Sequence, residues 1–248
     1  MAGTYTPNDA ITLARQMSHK IPVAAMQAYA SDIINSTIWT RYTWNWTLAS
    51  LTPIALVDGT QDYALATADA ALFYRFPDWG IRIVQTSLTP VEHREITQKS
   101  HLGVELTAKG GINSIRNFSY EGAISKIRLD RAAAVPSGAT LQIQGEYQTR
   151  PTKITDALMS SPLAHPDHYF SVFFEGISWK LYGLAGDPRA GIMKIDEEGR
   201  QTYTGQYGTF MNSLFAMQQA EDAGSGEDLA FPDSPLGAGG RAFTPGIF

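Results

Sequence analysis

Ala28-Tyr-Ala-Ser-Asp-Ile-Ile-Asn-Ser-Thr-Ile-Trp-Thr-Arg-Tyr-Thr-Trp-Asn-Trp-Thr-Leu48 changes its period halfway along. Ile33, Ile34, Ile38 and Tyr42 fall at helical spacing and predict a helix with one apolar face. After Arg41, the residues Tyr42, Trp44, Trp46 and Leu48 alternate with other residues, which is the period of one strand face. A helix that runs into a tryptophan-rich strand collects large aromatics at one junction, each able to bury about 150–250 Å². The stretch therefore predicts where a helical part of the molecule meets a β part. Core packing is the leading reading of Ile38, Trp39, Trp44 and Trp46. An aromatic platform for sugars or bases is the alternative.

Toward the N-terminus, Thr6-Pro-Asn-Asp9 reads as a helix start in which Asn8 or Asp9 accepts from exposed N–H groups. Ile11, Ala14 and Met17 form an apolar stripe, Lys20-Ile-Pro22 ends that helix, and Pro22 suits the first turn of the next. The second helix carries Val23, Met26, Ala30, Ile33, Ile34 and Ile38 on one face.

Toward the C-terminus the pattern turns to β. Thr52–Val57 and Thr60–Leu65 flank Asp58-Gly59 and predict a tight hairpin that includes Tyr63. Ala66–Ala71 reads as a loose connection. Strands are predicted at Trp79–Thr86, Val91–Thr97, Gly103–Ala108, Ser114–Tyr120, Ile124–Leu129 and Ala139–Tyr147, separated by Gly-rich or polar turns. A helix from about His168 to Leu184 presents Phe170, Phe173, Phe174, Ile177, Leu181 and Leu184, and also contains Trp179. Ala190–Gln219 reads as one long helix or two short ones, anchored by Met193, Ile195, Tyr203, Phe210, Leu214 and Met217.

The expected fold class is α+β. Helices of residues 1–47 and 151–220 form a bundle, a mostly antiparallel β-domain of residues 48–150 is inserted between them, and an extended tail covers 221–248. The tail is Gly-, Pro- and Ala-rich and builds no core of its own. Phe231, Phe243, Ile247 and Phe248 are its anchors for docking on the same chain or a neighbouring subunit.

The 248 residues are 44% hydrophobic and only 17% charged, so Thr, Ser, Gln, Asn and Gly cover much of the surface. A net charge of −5 argues against a general nucleic-acid binder. Without cysteine there is no disulfide framework and no thiolate metal site. The N-terminus has neither a basic nor an apolar leader region, and no apolar run reaches membrane-spanning length. These features predict a soluble protein made in a cytoplasm, with no membrane partner.

The chain carries no G-x-S-x-G elbow, Walker loop, H-E-x-x-H pair or dinucleotide fingerprint. His165 and His168 straddle a helix start and read as cap and solvent-facing residues rather than zinc ligands. His19, His93 and His101 are isolated. Asp78 beside Trp79, or Glu92 with Glu95, are the carboxylates a glycosidase would need, and Asp196-Glu-Glu198 reads as a solvated face. Arg94, Lys99, Lys109, Arg116, Lys126 and Arg128 make Arg82–Arg131 mildly basic. No catalytic residue, metal ligand or cofactor site is assigned.

The order of parts carries a resemblance. Ile38-Trp39 closes a helix, Trp44-Asn-Trp46 turns, and Gly59, Tyr63 and Leu65 follow in a Gly-x-x-x-Tyr-x-Leu hairpin. A β-insertion comes next, then aromatic helices return around Tyr169–Tyr182. This order resembles the head–tail adaptor (connector) proteins of tailed bacteriophages, the group that includes tail tubular protein A. The likeness covers the architecture of residues 8–65 and 150–218; the β-insertion is larger than in the smallest adaptors, and the tail matches no motif. It implies a structural virion protein at the head–tail interface, assembled in the host cytoplasm. The implied assembly is a dodecameric homo-oligomeric ring between the portal protein and the tail tube or nozzle. Double-stranded DNA would pass through its lumen without sequence reading. In that setting Ile38, Trp39, Trp44, Trp46, Tyr63, Phe173 and Trp179 are structural core, and Phe231, Phe243, Ile247 and Phe248 bind partners. A carbohydrate-binding or adhesion module, or a glycoside hydrolase of a phage tail, is the competing reading.

Overall fold

The computed structural model describes residues 3–17, 24–87, 91–99, 109–195, 197 and 199–224. Its α-helices are α1 (Pro7–Met17), α2 (Ala24–Arg41), α3 (Thr67–Leu72), α4 (Phe170–Leu184) and α5 (Gly205–Gly224). The strands are β1 (Leu48–Ser50), β2 (Ile54–Ala55), β3 (Asp62–Ala64), β4 (Phe73–Arg75), β5 (Ile81–Gln85) and β6 (Glu92–Gln98). They continue with β7 (Asn117–Glu121), β8 (Lys126–Leu129), β9 (Leu141–Thr149), β10 (Met193–Ile195) and β11 (Gln201–Tyr203). The fold is mixed α+β and the large sheet is mostly antiparallel. The chain divides into two compact units, one of Met1–Trp46 with Pro151–Phe248, the other of Thr47–Arg150.

In the first unit, the hydroxyl and N–H of Thr6 both donate to Asp9 Oδ2 at 2.8 Å, a reciprocal cap that starts α1 where the exposed N–H groups need an acceptor. Ala10, Ile11 and Ala14 of α1, Ala30, Ile34 and Ile38 of α2, Phe173, Ile177 and Leu181 of α4, and Phe210, Leu214 and Met217 of α5 share one core with Trp44. Gly176 makes the closest approach possible: a Cβ there would lie 2.6 Å from Ile34 Cγ2 and 2.9 Å from Phe210 Cε2. The polar side of α2 is used as well. Asn35 Nδ2 donates to Thr152 O at 2.9 Å and Asp32 Oδ1 accepts from Ile154 N at 2.8 Å, so the chain returning from residue 151 is tied along α2.

The second unit is a nine-stranded sheet in the order β1-β9-β5-β6-β7-β8-β3, with β2 and β4 also paired to β9. Among the described strands only the β6–β7 pairing is parallel. Tyr63, Phe73, Phe76, Ile81, Ile83, Ile96, Phe118, Ile127, Ile143 and Tyr147 fill its core. Two buried carboxylates brace it. Asp130 accepts from the N–H groups of Arg116 and Asn117 and from Asn117 Nδ2, and Asp69 accepts from Thr52 N–H and the Tyr147 hydroxyl.

Four expectations are corrected. The Tyr42–Leu48 strand is instead a turn followed by a 3-10 helix, Asn45–Thr47, and strand pairing begins only at Leu48. The two arms around Asp58-Gly59 do not pair with each other: β2 joins β9 and β3 joins β8. Ala66–Ala71 is largely α3 rather than a loose link. Ala190–Gln219 is a two-stranded ribbon, β10–β11, followed by α5. Gly191 and Gly205 make the ribbon possible, because both have positive φ and a Cβ on Gly191 would lie 1.8 Å from Thr204 O. Met193 and Ile195, expected as anchors, are exposed on the ribbon, and Met26, expected on the apolar face of α2, is exposed too. The expected strand Gly103–Ala108 lies outside the described residues, as do Met17's side chain, Pro22 and Val23.

Candidate functional site

The residues that the sequence singles out converge on the turn after α2. Trp44 is fully buried, and its Nε1 donates to Ile38 O at 2.6 Å, closing the end of the helix. Trp46 stacks near Trp44 with ring centroids 6.2 Å apart and meets Trp39 edge-on at 5.0 Å. On its other side Trp46 meets His165, edge-on at 5.2 Å, and His165 packs on Phe173 at 5.5 Å. His165 is buried, not solvent-facing as its position beside Pro166 suggested. Neither ring nitrogen has a protein partner, nor does Trp46 Nε1. Burial alone pushes the imidazole pKa down to about 4, so it is neutral at pH 7.

The N-terminal end of the described chain reaches the loop that holds His165, and the last turns of α5 reach the turn after α2. Gly3 N–H donates to Leu163 O at 3.2 Å and Leu163 N–H to Tyr5 O at 2.9 Å, as in a short antiparallel ladder. Thr4 donates to Asp167 from its N–H at 2.6 Å and from its hydroxyl at 2.9 Å. Those bonds hold the Asp167 carboxyl below its ordinary range. Tyr5 stacks on Phe170 at 4.3 Å. From the other end, the Tyr42 hydroxyl donates to Asp222 in the last turns of α5. Its neighbour Glu221 is shifted up by burial, against the pull of His168 and hydrogen bonds from Asn45.

Ile38, Trp39, Trp44, Tyr63 and Phe173 are buried, whereas Trp46 and Trp179 are partly buried against the helical core. Tyr63 belongs to the sheet unit, where its hydroxyl donates to Thr60 O at 2.9 Å. Trp79 is 49% exposed, in the turn before β5. Phe231, Phe243, Ile247 and Phe248 lie outside the described residues, as do His19, His101, Asp196 and Glu198. Glu92 and Glu95 sit three apart on β6, so the strand period sends their carboxyls to opposite faces. Asp78 is exposed in the same turn as Trp79. His93 and His168 are exposed. Among the described residues no group of three His, Asp or Glu side chains comes close enough to hold a metal ion, and no helix is long and apolar enough to cross a membrane. Two of the basic residues are paired with acids across the sheet, Arg128 with Asp62 and Lys109 with Asp58.

Sequence reasoning missed His165, Asp69 and Asp130 as buried polar residues. Asp130 follows the apolar alternation of Ile127 and Leu129 directly, which is the one local signal that it enters the interior. No protein-family model matches the chain, and no curated protein matches it significantly in sequence.

Proposed function

We propose that the chain is a structural protein of a tailed-phage virion, a head–tail adaptor that assembles as a dodecameric ring between portal and tail. In this reading the N- and C-terminal helices make one bundle, the inserted sheet unit supplies lateral or axial contacts, and DNA slides through the lumen unread. The observation that carries it is the interruption of one helical core. Residues on both sides of a contiguous β unit, Ile34 and Phe173 among them, belong to a single cluster. That is the order of parts on which the resemblance rests. The tryptophans of the motif also favour a scaffold over a sugar platform, since Trp39 and Trp44 face the core rather than solvent. A ring needs head-to-tail contacts between unlike surfaces. Ile192, Met193 and Ile195, exposed together at the β10–β11 ribbon, offer one such surface.

The test is the native mass of the protein, alone and mixed with a portal ring. A closed ring in either sample, with residues 221–248 gaining protease resistance, is the expected result. A strict monomer in both, together with quenching of Trp79 fluorescence by oligosaccharides, would overturn the reading and favour an adhesion module.

A further inference from the structure

The loop Leu163–Tyr169 is fastened into the helical unit by two buried side chains, the apolar Leu163 and the ionisable His165, and the N-terminal arm is fastened to the loop. Gly3 and Tyr5 pair with Leu163, and Thr4 donates twice to Asp167. We propose that His165 is an acid-released pin: adding a proton to its ring expels the loop around it and lets go of the N-terminal arm.

The geometry supplies the reason. The ring sits between Trp46 and Phe173, and neither nitrogen has a hydrogen-bond partner. A charged imidazolium there would present two N–H donors to hydrocarbon, and leaving the core is its only way to water. The surrounding charges do not rescue it. The 3-10 helix carrying Trp46, Asn45–Thr47, has no charged residue. On α4 the charged residues are Glu175, half-buried and hydrogen-bonded to Ser213, and Lys180, which lies over Trp179. Asp167 is committed to Thr4, and Asp9 of α1 to Thr6. His168 is exposed, and Glu221 and Asp222 of α5 are engaged by Asn45 and Tyr42. None of these acts measurably on the His165 ring, whose shift comes from burial alone.

The sign follows from linkage. The released ring takes a proton at its ordinary 6.5 and the pinned ring only at about 4. The pinned state is therefore at full strength above 6.5 and weakens as pH falls, by about 30-fold at pH 5 and about 150-fold at pH 4. Asp167 is lowered too, but from an ordinary value already below this range, so at pH 5 the arm is lost through the pin and not through its own carboxylate.

The experiment is amide hydrogen exchange of the intact chain at pH 7 and about pH 5, corrected for intrinsic rates, in the wild type, His165→Phe and His165→Gln. Protection at Gly3, Thr4 and Leu163 is expected to fall by about 20-fold in the wild type. Neither variant can titrate, so both should show a flat profile; Gln covers the case in which Phe fails to fold. Equal losses in wild type and variants would overturn the proposal. So would a ring midpoint above 6 by NMR, or loss of α4 and sheet protection in step with the loop. The result does not depend on whether the chain forms a ring.

Discussion

The two units treat their buried carboxyl groups differently. In the sheet unit the buried carboxylates Asp69 and Asp130 are surrounded by backbone N–H and side-chain donors, so their charge replaces one set of hydrogen bonds with another. In the helical unit His165, Ser178 Oγ, Trp46 Nε1 and one oxygen of Glu175 are buried without partners. A sheet leaves backbone N–H groups free at turns and strand ends, where an Asp can collect them. Helices spend almost all their backbone donors internally and have few to lend. The difference teaches that a buried acid braces a unit where backbone donors are free to meet it and burdens a unit where they are not.

Substitutions sharpen this contrast. The largest effect is expected from Trp44→Ala, about 3–5 kcal/mol by denaturant melting, because a fully buried indole and its bond to Ile38 O both go. Near-wild-type stability would remove Trp44 from the core. Asp130→Ala should cost about 1–3 kcal/mol by stranding the N–H groups of Arg116 and Asn117. Its counterpart in the helical unit, Ser178→Ala, should stay within about 0.5 kcal/mol of wild type or gain stability, since no partner is stranded. If the two cost the same, the contrast fails.

Glu175→Gln tests the helical unit through pH. Burial raises the folded pKa above the ordinary 4.5, so this acid costs nothing below that value and increasingly more as pH rises through it. The variant is expected to melt higher than wild type at pH 7 and together with it at pH 3.5. Smallest is Lys109→Ala. Its partner Asp58 is solvent-exposed, and Tm is expected to stay unchanged.

Much of the fold was legible because long helices write their own period. Phe173, Ile177 and Leu181, or Phe210, Leu214 and Met217, need no distant partner to be recognised as one face. The strands β5 to β9 were legible as elements but not as neighbours. Whether Ile54 lies beside Tyr63 or Ile143 depends on a contact made across the chain, and a Gly turn does not encode it. Residues 42–48 misled for a different reason. Aromatics spaced by two also fit a turn running into a 3-10 helix, in which Trp44 and Trp46 stack on each other rather than line one face of a strand. In the ribbon, Gly191, Gly199 and Gly205, all at positive φ, were the local signal that no continuous helix runs there. His165 carried no signal at all, because its neighbours Pro166 and Asp167 resemble a helix start wherever the imidazole points.

Leu48 pairs with Gln148, and Thr149 Oγ1 donates to Thr47 O at 3.0 Å, so the sheet unit begins and ends on neighbouring strands. On a ribosome this sets an order of events. Residues 47–150 can close their sheet as soon as β9 emerges, while α1 and α2 must wait for α4 before their apolar faces find a core. The nascent chain thus holds its first helices in reserve, exposed to chaperones and to other nascent copies, until more than two-thirds of the protein has been made.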